Sequence, residues 1–86
     1  MKEALIFRVN QISDRVVVNH YGYLKGRKTP QSWSQALLRN QARLDELFAL
    51  TALIKDNGLI SKKDADEVLN MIDRLDKRIS QLIEEM

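Results

Sequence analysis

The stretch SKKDADEVLNMIDRLDKRISQLIEEM, Ser61 to Met86, decides the fold. Within it Ala65, Val68, Ile72, Leu75, Ile79, Leu82 and Met86 recur at alternating spacings of three and four, the interval at which helical side chains return to one face. Leu69, Met71 and Ile83 widen the apolar arc beyond a two-stranded seam, so this helix must touch more than one neighbour. Ser61 is a natural N-cap, and Asp64 stands where a capping box has its acid. Asp66 and Glu67 complement the positive end of the helix dipole. The spacing predicts a helix over 62–85. Lys62 with Asp66, Lys63 with Glu67, and Asp73 with Lys77 would form exposed pairs worth a few tenths of a kcal/mol each.

Upstream, Asp56-Asn57-Gly58 reads as a helix end, because glycine enters the left-handed conformation that a helix C-terminus often requires. Thr29-Pro30 reads as the start of that helix, with Thr29 as cap and Pro30 at the first helical position, where its missing N–H is no loss. The predicted helix spans 30–55. Trp33, Leu37, Asn40, Leu44, Leu47, Thr51 and Ile54 form one stripe along it. Leu38, Ala42, Ala49 and Leu53 form another on a different side, so the helix is expected to be covered on two faces. The final helix is the first cover, and the N-terminal segment or a second subunit is the other. Asn40 and Thr51 either fix register and oligomer state within the seam or lie at its edge. Trp33 reads as core, with a surface hot spot as the alternative.

In the N-terminal segment Leu5, Val9, Ile12, Val16 and Tyr23 share one helical face, with Asn19 or His20 filling the gap. Ile6, Phe7, Val9, Val16, Val17 and Val18 also suit strands, and Asn10 to Asp14 offers a turn, so a β-hairpin is the alternative to a helix over 2–21. Residues 22–29, from Gly22 to Thr29, read as a basic loop. The expected architecture is all-α: a single domain over 1–86 in which an antiparallel helical hairpin carries the N-terminal segment, forming a three-helix bundle that dimerises through its seam. The seam or interface candidates are Trp33, Leu37, Asn40, Leu44, Leu47, Thr51, Val68, Ile72, Leu75, Ile79 and Leu82.

A chain of 86 residues buries a smaller fraction of its surface than a larger domain, which favours self-association. With no cysteine, neither a disulfide nor a thiolate metal site staples the fold, and a reducing cytoplasm is the expected location. The N-terminus lacks the pattern of a secretory signal, and the run from Leu47 to Ile54 is far too short to span a bilayer. No membrane partner is expected. The net charge is only +2, but residues 1–43 hold eight bases against two acids (+6) and residues 44–86 six bases against ten acids (−4). Such polarity points to an anionic partner or to head-to-tail self-contact.

The composition argues against catalysis. His20 is the only histidine, and no cysteine or glycine-framed serine accompanies it, so it reads as structural. Asp64, Asp66, Glu67, Asp73 and Asp76 are spread around a helix beside lysines and read as a solvated face, with no metal. Placing Gly58 at the turn of a calcium loop would put Leu53 and Lys55 where oxygen ligands belong. Gly22 and Gly26 lack the lysine ending of a phosphate-binding loop. No cofactor and no small-molecule substrate are expected. The functional expectation is a non-enzymatic protein-protein interaction module, such as a small regulator, inhibitor or assembly factor presenting helical surfaces. The alternative is a nucleic-acid-binding regulator dimerised by its helices. There Lys25, Arg27, Lys28 and Arg15 would contact phosphates, and Tyr21 and Tyr23 would stack on bases. Arg8, Arg39 and Arg43 join that patch only if the fold brings their faces together.

Overall fold

Two glycines in the left-handed region, Gly26 at φ 74° and Gly58 at φ 69°, divide the chain into three helices. The computed structural model describes all 86 residues and contains α1 (Lys2–Leu24), α2 (Pro30–Asp56) and α3 (Lys62–Glu84). Each glycine closes the same motif. Gly26 N–H donates to the Tyr23 carbonyl and Arg27 N–H to that of Gly22, while Gly58 N–H donates to Lys55 and Leu59 N–H to Ile54. Carbonyls that the helix end would leave without partners are satisfied in this way. The following starts are capped as their sequences indicate: Thr29 Oγ1 accepts from Ser32 N–H at 3.0 Å, and Ser61 Oγ from Asp64 N–H at 3.1 Å.

The N-terminal segment is a helix and not a hairpin, and it continues past the expected end at residue 21 to Leu24. Gly22 therefore lies inside the helix, and the basic loop contracts to Lys25–Thr29. The strand-favouring residues Phe7, Val17 and Val18 all lie exposed on the outside of α1. Its inward face is Leu5, Val9, Ile12 and Val16. Those side chains meet Trp33, Leu37, Leu44 and Leu47 of α2, and Val68, Ile72, Leu75, Ile79 and Leu82 of α3, in one core. The helices run up, down and up, since Lys2 at the start of α1 pairs with the first turns of α3 and Leu24 at its end shares a groove with Leu82.

Both polar seam residues are buried, and each makes a side-chain hydrogen bond within its own helix. Thr51 Oγ1 donates to the Leu47 carbonyl at 2.8 Å, and Asn40 Oδ1 accepts from Arg43 Nη1 at 3.0 Å. Every seam residue is enclosed within one chain. Conversely, α1 does not cover the second stripe of α2: Leu38 is 54% and Leu53 59% exposed, and Ala42 and Ala49 are exposed as well. The first stripe alone is broad enough to receive both neighbours.

Of the expected pairs along α3 only Asp73–Lys77 forms, at 3.0 Å. Asp66 instead meets Lys55 at 3.0 Å, and Lys2 lies 2.6 Å from Glu67 and 3.6 Å from Asp64. Lys62 and Lys63 are thus left out, because partners fixed on neighbouring helices hold the same acids. Lys2 titrates above its ordinary value of 10.5, chiefly because it donates a hydrogen bond to Glu67, with the charges of Glu67 and Asp64 adding. A group whose folded pKa is raised contributes stability fully below its unfolded value and loses it as pH rises through the folded one. Lys2→Met is therefore expected to lower the thermal midpoint slightly at neutral pH. The gap between variant and parent should close above pH 10.5. A gap that persists unchanged into strong alkali would show that Lys2 acts through packing of its stem and not through its charge.

Candidate anion-binding face between α1 and α2

The short loop Lys25–Thr29 is held at both ends by the caps just described, which fixes where its cations point. Lys25 Nζ sits 5.5 Å from the centre of the exposed Tyr21 ring. Lys28 turns the other way and lays its stem over the backbone of Gly22, where a Cβ would stand 3.7 Å from Lys28 Cδ and Cε. Its ammonium is thereby carried to the junction of α1 and α2. Tyr23 is half-buried and stacks on Trp33 at 5.6 Å, so its ring is engaged inside the bundle and not offered to a base. His20 stacks on the same indole at 5.1 Å and an interplanar angle of 8°. These contacts give His20 a packing role.

Above the loop, the antiparallel crossing of α1 and α2 assembles residues far apart in the chain. Arg8, Gln11 and Arg15 of α1 face Arg43, Glu46 and Leu50 of α2 across a groove of about 280 Å³. Next to it lies a smaller cavity of about 90 Å³, lined by Asn19 of α1, Lys28 of the loop, and Ser32, Ala36, Arg39, Asn40 and Arg43 of α2. Arg43 lines both, so groove and cavity are neighbours on one face. Arg8, Arg15, Lys28, Arg39 and Arg43 thus lie along one face, and Glu46 is the sole acid lining it. None of these five bases takes part in an ion pair: the pairs that form use Lys2, Lys55, Lys77 and the N-terminal amine. Five uncompensated cations along one edge make a positive field that raises the local concentration of anions.

The candidates read from sequence divide accordingly. Arg15 and Lys28 belong to this face, while Lys25 and Arg27 are exposed loop residues that line neither groove nor cavity. Tyr21 belongs to another surface, an apolar groove with Val17, Leu24 and Leu82. Asn19 was read from sequence only as a gap filler on the inner face of α1 and Ser32 was not singled out, and no local pattern marks either for this cavity: each reaches it only through the packing of α1 on α2. No helix is long and apolar enough to cross a membrane. Scans against protein-family models, curated proteins and solved structures found no match to this chain.

Proposed function

We propose that this protein is a non-enzymatic interaction module, a small regulator, inhibitor or assembly factor that docks a protein partner on a helical surface. The observation that carries this reading is the bare outer face of α2. A surface helix ordinarily carries polar residues opposite its core stripe. Here Leu38, Ala42, Ala49 and Leu53 form an uncovered apolar row on that side. Rows of this kind mark interaction sites, and burying the exposed half of each leucine would contribute about 0.8 to 1.5 kcal/mol. A second copy is one such partner, for which this row offers a surface outside the enclosed seam. Leu38→Glu combined with Leu53→Glu is expected to abolish partner capture in a cross-linking pull-down and any dimer seen by sedimentation. Each exposed substitution should change stability by no more than about 0.5 kcal/mol. Undiminished capture and an unchanged sedimentation coefficient would overturn the reading.

A second reading, a nucleic-acid-binding regulator, is supported by the unpaired cations of the α1/α2 face together with the loop bases Lys25 and Arg27. Titration with single-stranded RNA and duplex DNA, followed by Trp33 fluorescence, tests it. Affinity is expected to fall with salt by about 0.7 to 0.9 log units per decade for each phosphate neutralised. Replacing Lys25, Arg27 and Lys28 together by Ala should weaken retention without altering the fold. Binding that ignores salt and these substitutions would remove this reading.

A further inference from the structure

We infer that the cavity between α1 and α2, closed by the loop, is a binding site for a phosphate group. Its lining is almost wholly made of donors. Lys28, Arg39 and Arg43 carry full positive charge and no acceptor, and no carboxylate lines the cavity. The deepest lining residue, Asn40, is 2% exposed. Arg43 donates to its Oδ1 at 3.0 Å, and because a guanidinium has only donors, the oxygen end of the amide must face Arg43. Asn40 Nδ2 donates to no acceptor in the protein and is not sealed away, since no buried side-chain polar atom lacks a partner. Asn40 lines this cavity, so the free amide is available to a ligand held there. Asn19 and the Ser32 hydroxyl, also without hydrogen-bond partners, complete the ring, and Ser32 sits in the first turn of α2 at the positive end of its dipole.

A cavity that combines three cations with neutral donors calls for a ligand that only accepts, carries negative charge and presents several oxygens at once. Phosphate meets all three demands. Charge-assisted bonds from arginine are shorter and stronger than neutral ones, and a guanidinium matches two phosphate oxygens at a time. An apolar ligand would strand every one of these donors, and a cation would be repelled. The site needs neither a docked protein nor a polymer, so it goes beyond both readings of function. The phosphate is that of a small molecule or of a nucleic-acid strand lying in the adjoining groove, where Arg15 and Arg8 would meet its next phosphates.

The test is an NMR titration of the full chain with inorganic phosphate in a phosphate-free buffer at low salt, following the Asn40 side-chain amide. Saturable shifts of that amide are expected in the parent and in Lys62→Gln, whose exposed base at the start of α3 lies outside the cavity. With Lys28→Gln and Arg39→Gln combined, which remove both charges but keep the first methylenes of each stem, affinity should drop at least about ten-fold. A second arm adds a short single-stranded oligonucleotide. If the phosphate belongs to a strand, the oligonucleotide displaces inorganic phosphate and Arg8→Gln with Arg15→Gln weakens only the oligonucleotide; if it belongs to a small molecule, inorganic phosphate binds and the oligonucleotide does not compete. An Asn40 amide that never shifts, or that shifts equally in the Lys28/Arg39 variant, overturns the site. That result would leave the nucleic-acid reading standing if the oligonucleotide still binds elsewhere.

Discussion

Leu44→Ala is expected to lower the free energy of unfolding by about 2 to 5 kcal/mol, and Leu44→Asp to leave no measurable folded population. Leu44 is 0% exposed, stands near the middle of α2, and belongs to the core cluster that all three helices share. Truncation removes apolar contact with both neighbouring helices and opens a cavity that rigid helices cannot collapse to fill. For a chain of 86 residues the whole stability is roughly 4 to 13 kcal/mol, so the alanine variant alone removes a large share of it. A carboxylate at the same place would be buried without a partner. Urea melts followed by far-ultraviolet circular dichroism measure both effects. An alanine variant with an unchanged midpoint would contradict the packing of α2 between α1 and α3.

The contrast between what sequence discloses and what it conceals follows the range of each interaction. Thr29, Ser61 and Gly58 act on backbone groups within a few residues, so the helix boundaries they set are readable in the chain. The end of α1 is different. An interior glycine disfavours a helix by only about 1 kcal/mol, and the stack of Tyr23 on Trp33 together with the terminating motif at Gly26 outweighs it at Gly22. The pairs along α3 misled for a related reason. Spacing along one helix counts only neighbours on that helix, whereas Lys2 and Lys55 reach Glu67 and Asp66 from the other two. The second stripe of α2 was visible as a pattern, but a pattern states that residues are apolar and not that anything covers them. The anion-binding face lies furthest from local reading. Arg15 and Arg43 belong to one groove only because α1 and α2 cross antiparallel, and the meaning of Asn40 depends on which end of its amide Arg43 has taken.

Trp33→Ala is expected to lower stability by about 3 to 5 kcal/mol and, unlike Leu44→Ala, to concentrate its effect at one end of the bundle. Trp33 is 2% exposed in the first turn of α2, and its indole holds the last turns of α1 through His20 and Tyr23 at interplanar angles of 8° and 13°. Aromatic pairs contribute about 0.5 to 1.5 kcal/mol beyond the area they bury, so the indole adds stacking to its apolar contacts. Its removal frees the end of α1 and the loop Lys25–Thr29 together, while Leu47, Ile72 and Val68 at a distance keep their contacts. Amide exchange should therefore accelerate most over residues 20–33, whereas Leu44→Ala should raise exchange throughout. Trp33→Phe, which keeps a ring for His20 and Tyr23, is expected to show a smaller version of the same pattern. Because Lys28 and Ser32 are positioned by this clasp, the alanine variant should also bind inorganic phosphate more weakly even though no lining residue has changed. Accelerated exchange spread evenly over all three helices would instead mean that the stack is one more part of a single cooperative core, with no separate hold on the loop.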